Sequence, residues 1–448
     1  MIIMARFLTP DDYGLVGMVT VFIAIAQSLI DCGFSQALIQ KQNRTNIDNT
    51  TVFYFNIVIG FIIYLLFFFS APLIALFYKE NVLTAITRII SLSIVANSFV
   101  IVQRALLTAS LNFKIQAKAS FIAAIIGGLV GIALTYYDFG VWAIVWYQLI
   151  NTIVNVLFLW RFCDWRPLSI TYFSKSSFNS LFRFGSKLAG SGIIDTVYNN
   201  LYILLIGKIY NSVDLGYYTR ASQFAQFPSV NFTGIIQRVT LPVLCSIQDD
   251  EERIRDVFLK FIKCSAFIVF PLMIGLSVLA KSLILVLLND QWSYTSRLLS
   301  IICYSLVLYP IHAINLNVIL AKGFSKEILK LEIIKKITGI IILLVTVPFG
   351  LEIMCYGLVA SSLICLIYNS NSTGKIIGIG FLKQFKVLMP AILKSTIMGI
   401  FIWLISLMIE DNIIKLILGS LVGISIYFSL SIIMKSDEWK DLKSFIKK

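Results

Sequence analysis

Charged residues are scarce in this chain. Asp, Glu, Lys and Arg make up only 13% of its 448 residues, whereas hydrophobic residues make up 58%. A soluble globular domain carries about 25% charged residues, so this composition excludes a protein that is solvated mainly by water. The apolar residues fall in runs long enough for membrane helices, each of which takes about 20 residues. We therefore expect an all-α polytopic membrane protein with short loops and no soluble domain.

Catalytic and metal-binding residues are also few. The single histidine, His312, lies in an apolar stretch beside Pro310, where it can either pack and hydrogen-bond within the protein or relay protons. The seven cysteines occur singly, without the spacing of a metal site or a disulfide framework. No Ser/His/Asp set and no Walker-type glycine loop occurs. The sequence predicts neither an enzyme nor a bound cofactor. Any movement of a solute across the membrane by this chain would therefore be driven by an ion gradient, the membrane potential or the gradient of the solute itself.

Thirteen apolar runs are long enough to cross a membrane. They are predicted at residues 14–39, 51–77, 84–110, 117–136, 140–162, 184–207, 215–243, 260–287, 296–321, 329–349, 353–374, 386–409 and 413–434. Residues 1–8 look like the last two turns of a further helix whose beginning is absent, through a misassigned start codon or a truncated gene. We therefore predict thirteen complete spans and a truncated first helix.

Lysine and arginine concentrate in alternate loops. These loops contain Lys41, Arg44, Lys114, Lys118, Arg161, Arg166, Lys175, Arg183, Arg253, Arg255, Lys322, Lys326, Lys375 and Lys383, and the C-terminal tail adds Lys435, Lys440, Lys443, Lys447 and Lys448. Because basic loops stay on the cytoplasmic side of a membrane, we predict that these loops and the C-terminus are cytoplasmic. The same rule accounts for the net charge of +14, so no nucleic-acid partner is expected.

The longest predicted cytoplasmic connection covers residues 163–183. Its Trp165, Arg166 and Tyr172 suit the membrane interface, where aromatic rings and basic groups are stable. We predict that this linker separates an N-terminal lobe at 1–162 from a C-terminal lobe at 184–374. Two trailing transmembrane helices and the basic tail follow at 375–448.

The chain contains an internal repeat with an offset of 202 residues. The positions that match are Arg6 and Lys208, Asp12 and Asp214, and Gly14 and Gly216. A second match, between Arg88 and Arg297, has an offset of 209. Both offsets span six predicted helices, so the two copies have the same membrane orientation. This pattern predicts a parallel duplication, which is common in transporters.

Several segments resemble one family of transporters. They include L-T-P-D-D-Y-G-L-V-G-M (8–18), D-C-G-F-S-Q-A-L-I-Q (31–40), G-V-W-A-I-V (140–145), R-F-G-S (183–186), L-G-Y-Y-T-R-A (215–221) and V-N-F-T-G-I-I-Q-R-V-T-L-P (230–242). These segments resemble the polysaccharide-exporting flippases of the multidrug/oligosaccharidyl-lipid/polysaccharide (MOP) exporter superfamily, most closely the colanic-acid/lipopolysaccharide type. The resemblance runs in order from residue 1 to about residue 400.

The resemblance implies a fold and a function. The fold would be a MOP/MATE-like two-lobe helical bundle, with two six-helix lobes around a central cavity and two trailing helices. The function would be transfer of an undecaprenyl-diphosphate-linked oligosaccharide across the bacterial cytoplasmic membrane by alternating access. We expect a monomer surrounded by membrane lipid, with polysaccharide assembly enzymes as partners. Most of the family's first helix is absent, and a lobe without it would expose polar cavity surface to lipid.

Ionisable residues inside spans are costly and suggest function. The cationic candidates for binding a diphosphate are Arg104, Lys187, Arg220 and Arg238. An arginine can bind two phosphate oxygens at once, whereas a lysine acts as a point charge. The alternative for the last three is that their side chains snorkel to the nearest interface.

Three further polar residues within predicted spans are candidates. Asp31 would pair with one of these cations or hydrogen-bond to a neighbouring helix. Asn200 and Asn231 would hydrogen-bond to sugars, although bonds between helices explain such residues equally well.

Three other functions compete with flippase activity. A small-molecule or drug cation antiporter of the same superfamily would need acidic cavity residues, whereas this chain offers mostly Arg and Lys. A membrane oligosaccharide polymerase or ligase would carry a large outer loop, whereas every predicted outer loop is short. A structural scaffold would leave the charges within the spans unexplained.

Overall fold

The structure is a computed structural model that describes residues 2–31 and 33–434, without the side chains of Lys187 and Leu188. Met1, Cys32 and the tail lysines from Lys435 onward lie outside the described residues.

The described residues form nineteen α-helices. They are α1 (Ile2–Phe7), α2 (Pro10–Asp31), α3 (Phe34–Gln40), α4 (Asn46–Tyr78), α5 (Leu83–Ile90), α6 (Leu92–Ser98), α7 (Ile101–Ala109), α8 (Phe113–Tyr136), α9 (Val141–Phe162), α10 (Lys175–Ile209), α11 (Ser212–Ser246), α12 (Glu251–Val278), α13 (Ala280–Leu287), α14 (Ser293–Leu306), α15 (Tyr309–Ala321), α16 (Ser325–Thr346), α17 (Leu351–Ile377), α18 (Phe381–Met408) and α19 (Asn412–Ile433). Short 3-10 helices cover Ile170–Tyr172, Asp290–Trp292 and Val347–Phe349. The described residues contain no β-strand, which confirms the prediction of an all-α protein.

Most of the predicted spans are long apolar helices. Within the described residues, nine segments are long and apolar enough to cross a membrane, and the bent group α5–α7 makes a tenth. The chain is therefore a multi-pass membrane protein, as predicted. The other three predicted spans correspond to α10, α11 and α16, which are helical but are not among these segments. The count of thirteen complete spans stays a prediction.

Four of the predicted spans are broken, among them 260–287, which becomes α12 and α13, and 296–321, which becomes α14 and α15. The span predicted at 14–39 becomes α2 and α3, because Gly33 adopts a left-handed backbone with φ of 69°. A Cβ at Gly33 would lie 2.3 Å from the backbone oxygen of Gly185, so the break is also a close contact with α10. The span predicted at 84–110 becomes three helices, with a bend of 46° between α6 and α7.

The chain divides into two compact units, Met1–Thr219 and Arg220–Lys448, and the boundary falls inside α11. In the first unit, Phe34, Phe53 and Val102 lie in one buried cluster, which Trp165 of the predicted linker covers. In the second unit, Phe258 and Ile311 belong to a buried cluster shared by α12, α15, α17 and α18. The predicted lobe boundaries stay a prediction.

Part of the predicted linker is held against α4 by hydrogen bonds. The backbone N–H of Leu168 donates to Thr50 Oγ1 (3.1 Å), and that of Ser174 donates to Thr51 Oγ1 (3.1 Å). Tyr54 donates its hydroxyl to the Leu168 carbonyl (2.9 Å). Helix α10 begins at Lys175 with Ser174 as its N-cap, so its first turns lie within the predicted linker.

Prolines inside two helices free backbone carbonyls that side chains then bind. A proline has no N–H, so the carbonyl four residues earlier loses its helical donor. In α4, Pro72 frees the carbonyl of Phe68, which accepts from Arg88 Nε (3.2 Å). In α12, Pro271 frees the carbonyl of Phe267, which accepts from the Tyr427 hydroxyl of α19 (2.8 Å).

The predicted repeat is visible in the helix caps. At the start of α2, Asp12 accepts from the backbone N–H of Thr9 (2.9 Å), and Thr9 Oγ1 accepts from that of Asp12 (3.3 Å). At the start of α11, Asn211 accepts from the backbone N–H of Asp214 (2.7 Å) and donates to the Asp214 carboxylate (3.1 Å). The two caps occupy positions that differ by 202 residues, which is the offset found in the sequence.

Candidate functional site

Arg104 is held in place by amide side chains of two other helices. It lies in the first turn of α7, immediately after the bend that separates α7 from α6. Its Nη2 donates to Asn155 Oδ1 of α9 (2.9 Å) and to Asn97 Oδ1 of α6 (3.4 Å). Both acceptors are neutral, so these bonds orient the guanidinium without cancelling its charge.

A second layer of hydrogen bonds supports this arrangement. Asn155 donates through Nδ2 to Ser120 Oγ of α8 (3.2 Å). Gln116, one turn earlier in α8, donates to the backbone oxygen of Arg104 (3.4 Å) and to Thr108 Oγ1 (3.0 Å). The three helices α7, α8 and α9 are therefore joined by side chains around one arginine.

These side chains line a cavity of about 240 Å³ in the first unit. Its lining consists of Asn97, Arg104, Gln116, Ser120, Asn151, Thr152, Asn155 and Leu159. The lining contains one cation and no carboxylate. In the part of the chain that the structure describes, no carboxylate lies within 4.0 Å of Arg104. A half-buried cation without a counter-ion, surrounded by hydrogen-bonding groups, suits an anionic ligand such as a phosphate.

The lining follows from helical spacing. Asn151, Thr152, Asn155 and Leu159 lie at intervals of one, three and four residues, so they share one face of α9. Gln116 and Ser120 are four residues apart and share a face of α8. Sequence reasoning missed the amides of this cavity because it considered ionisable residues first. Polar residues at helical spacing inside apolar spans were the signal available for finding them.

Among the predicted site residues that the structure describes, only Arg104 lines this cavity. Asp31 accepts from the backbone N–H (3.0 Å) and the hydroxyl (2.6 Å) of Ser35, so it stabilises the start of α3. Asn200 donates to the Thr196 carbonyl of its own helix (2.8 Å). The side chain of Lys187 lies outside what the structure describes.

Three predicted site residues belong to α11. The buried Arg220 donates through Nη1 to Gln223 Oε1 (2.6 Å), one turn further along the helix. Arg238 is exposed, as expected for a side chain that reaches an interface or an open surface. Asn231 is also exposed and donates to the Phe227 carbonyl (2.6 Å).

Comparison with known proteins identifies similar sequences. Residues 3–297 match the model of a family described as "Polysaccharide biosynthesis protein". The chain is 26% identical to the teichuronic acid biosynthesis protein TuaB of Bacillus subtilis (strain 168), over 66% of this chain and 62% of that protein. It is 27% identical to the lipopolysaccharide biosynthesis protein WzxC of Escherichia coli (strain K12), over 68% of this chain and 62% of that protein. These matches span less than two thirds of either relative's length.

Comparison with solved structures shows the fold. The structure of the lipid II flippase MurJ in an inward closed conformation aligns with a TM-score of 0.80 and 16% sequence identity. The alignment covers 98% of this chain and 95% of that structure. The two proteins therefore share a fold across nearly their whole lengths.

Proposed function

Because the chain belongs to the polysaccharide biosynthesis protein family, we propose that it is a flippase. It moves undecaprenyl-diphosphate-linked polysaccharide repeat units across the bacterial cytoplasmic membrane by alternating access. The membrane-spanning helices and the fold shared with a lipid II flippase support this proposal. The main support is the cavity around Arg104, because binding of a negatively charged diphosphate requires a cation that is not already paired with a carboxylate.

In this proposal Arg104 binds a phosphate oxygen of the diphosphate, while Asn97 and Asn155 hold its guanidinium in place. Both nitrogens of the arginine fork can contact one phosphate group. Arg220, Arg238 and Lys187 are proposed as additional cationic contacts along the transport path. Asp31, Asn200 and Asn231 are proposed as polar contacts for the sugars, with Asp31 also shaping the break between α2 and α3.

The proposed orientation places the basic loops and the C-terminus in the cytoplasm. Contacts within each unit support it, because they join loops that the charge pattern assigns to the same side. In the first unit, Lys118 Nζ lies 4.5 Å from the ring centroid of Phe162. In the second unit, Lys322 donates to the Gln248 carbonyl (2.5 Å), and Arg255 donates to that of Ile377 (2.7 Å).

The proposed architecture keeps the thirteen complete spans, the truncated first helix and the two lobes of the MOP/MATE type. The lobes are 1–162 and 184–374, followed by trailing helices and a tail at 375–448. We also propose that the protein acts as a monomer in membrane lipid and receives its substrate from polysaccharide assembly enzymes.

Leaflet transfer in reconstituted vesicles tests the function. The purified chain is placed in vesicles that contain a fluorescent undecaprenyl-diphosphate oligosaccharide, and the substrate that reaches the opposite leaflet is measured. We expect Arg104→Gln to slow transfer about 10- to 100-fold, because a charge-assisted hydrogen bond contributes about 1.5–3 kcal/mol. Arg104→Lys keeps the charge and should retain part of the rate.

A matched control is Arg297→Gln. Arg297 is exposed and lies 3.8 Å from Glu352, away from the cavity lining, so this variant should transfer substrate at the original rate. Absence of transfer by the folded wild-type chain would overturn the proposed function. Equal rates for wild type and Arg104→Gln would overturn the role of the cavity. Movement of a drug cation instead of the lipid-linked sugar would favour the antiporter alternative.

A further inference from the structure

The second unit contains a counterpart of the Arg104 position. Helix α7 follows a break after α6, and α15 follows a break after α14. Arg104 is the fourth residue of α7, and His312 is the fourth residue of α15. The next two helices also correspond, because α9 and α17 each follow a glycine with positive φ, Gly140 and Gly350. His312 therefore occupies the position in the second copy of the repeat that corresponds to Arg104 in the first copy.

The contacts of the two residues correspond as well. Arg104 is hydrogen-bonded to a side chain of α9. His312 is hydrogen-bonded through both ring nitrogens to side chains of α17, with Nε2 3.2 Å from Ser362 Oγ and Nδ1 3.3 Å from Asn369 Nδ2. A basic side chain thus joins equivalent helices in the two copies, but the second one can exist in a neutral form.

The hydrogen bonds fix the tautomer of His312. Ser362 donates its only hydroxyl hydrogen to the Ser305 carbonyl (2.7 Å), so its oxygen accepts from the imidazole. Nε2 must therefore carry a hydrogen. Nδ1 accepts from the Asn369 amide, so it carries none. These hydrogen bonds match the neutral imidazole that carries its hydrogen on Nε2.

The Asn369 side chain can also hydrogen-bond to the protonated form of the imidazole. Asn369 is fully buried, and its Oδ1 has no hydrogen-bond partner within the described residues. Buried polar atoms are rarely left without partners. Rotation of the amide by about half a turn would present Oδ1 to the imidazole in place of Nδ2. That exchange is favourable only when Nδ1 carries a hydrogen.

The charged groups that face His312 belong to one ion pair of α16. From α16, Lys335 acts electrostatically on the ring, and its Nζ lies 2.5 Å from Glu332 Oε1. Lys335 repels an added positive charge on the imidazole, and its ion pair with Glu332 offsets part of that repulsion. From α17, Cys365 lies within electrostatic reach of the same ion pair. From α12, apolar side chains such as Ile262 belong to the buried cluster that contains Ile311 of α15.

We propose that the second unit binds a proton at Nδ1 of His312 during the transport cycle. A hydronium ion transfers its proton to Nδ1 and becomes water, the imidazole becomes an imidazolium, and Asn369 turns its amide so that Oδ1 accepts the new hydrogen. No electron is transferred. The two equivalent positions then have different ligands. The Arg104 cavity has room for a phosphate group, whereas a proton needs no cavity.

Nuclear magnetic resonance of the histidine tests the proposal without relying on transport. The chain contains one histidine, so ¹⁵N-labelled histidine reports on this site alone. In lipid nanodiscs near pH 9, we expect the neutral signal with hydrogen on Nε2. On acidification below about pH 5, past the range in which exposed histidines titrate, a signal with both nitrogens protonated should replace it, because burial and the charge of Lys335 oppose the imidazolium.

Two variants make the assignment specific. Asn369→Leu removes the rotating amide, so the doubly protonated signal should be lost or should need at least a tenfold higher proton concentration. The control Asn317→Leu removes another buried amide of α15, one that bonds to Thr240 (2.6 Å), and should titrate like the wild type. A folded wild type without the second signal, or an Asn369→Leu variant that titrates normally, would overturn the proposal. If the signal changes as expected in a protein that moves no lipid-linked sugar, the proton site stands and the proposed function fails.

Discussion

Gly14 of α2 lies directly against the backbone carbonyl of Ser212 at the start of α11. The approach is so close that a Cβ on Gly14 would lie 1.7 Å from the Ser212 oxygen. The reciprocal contact joins Gly216 of α11 to Pro10 of α2, where a Cβ would lie 1.9 Å from the Pro10 oxygen. Pro10 and Ser212 differ by 202 residues, as do Gly14 and Gly216. The duplicated segments therefore contact each other through the same two positions.

This contact predicts that neither glycine tolerates a methyl group. Gly14→Ala and Gly216→Ala should each force the two helix starts apart, because the atoms in the way are backbone atoms that cannot rotate aside. Overpacking of this kind costs about 1–3 kcal/mol or more. Thermal unfolding of the purified variants in detergent measures the loss of stability.

Gly17→Ala is the matched control for these two variants. A Cβ at Gly17 would lie 3.4 Å from a side-chain carbon of Leu215, which is ordinary van der Waals contact. Replacing glycine by alanine inside a helix gains about 1 kcal/mol, so Gly17→Ala should be as stable as the wild type or more so. A Gly14→Ala variant that unfolds at the same temperature as Gly17→Ala would contradict the contact.

Asn155→Asp is predicted to inactivate the Arg104 cavity while preserving the fold. The new carboxylate would occupy the position that already accepts from Arg104 at 2.9 Å. It would cancel the charge that the proposed diphosphate needs, so we expect leaflet transfer to fall about 10- to 100-fold, as for Arg104→Gln.

Thermal unfolding separates loss of charge from loss of structure in this variant. Asn155→Asp should unfold at or above the wild-type temperature, since it adds an ion pair to an existing hydrogen bond. Undiminished transfer by Asn155→Asp would show that the charge of Arg104 is not used.

Thr51→Val and Thr50→Val are predicted to loosen the linker. Each substitution keeps the shape of the side chain and removes an acceptor for a backbone N–H, that of Ser174 or Leu168 respectively. The affected amide protons should exchange with solvent faster, and hydrogen–deuterium exchange of the peptide covering 163–174 measures this. Thr20→Val is the control, because Thr20 donates to carbonyls of its own helix. Unchanged exchange in Thr50→Val and Thr51→Val would contradict the docking of the linker.

Tyr427→Phe is predicted to destabilise the packing of α19 on α12. The substitution leaves the Phe267 carbonyl, which Pro271 has already deprived of its helical donor, without a partner. A buried acceptor without a donor lowers the free energy of unfolding by about 1–3 kcal/mol, which thermal unfolding can measure. The double variant Tyr427→Phe with Pro271→Ala restores a backbone N–H for that carbonyl and should recover stability. No recovery would argue against the explanation.

The amino-acid sequence by itself determined the class of this protein and the positions of its helices. Apolar runs of about 20 residues leave a chain few alternatives to membrane helices. The repeat was also readable, since Asp12 and Asp214 cap helices through local contacts within three residues. Most predicted spans therefore correspond to helices, although the sequence did not predict the breaks at Gly33, between α6 and α7, between α12 and α13 and between α14 and α15.

The tertiary structure alone decided which side chains meet. Arg104 was predicted as a site residue because a cation inside a span is costly, but its partner Asn155 is 51 residues away on another helix. Tyr427 likewise reaches a carbonyl 160 residues away. Such pairs depend on which helix faces pack together, and the amphipathic pattern of a membrane helix specifies this weakly because lipid and protein interior are both apolar. Asp31 and Asn200 differ from these pairs, because their hydrogen bonds to Ser35 and to the Thr196 carbonyl are local and join residues four apart in the sequence.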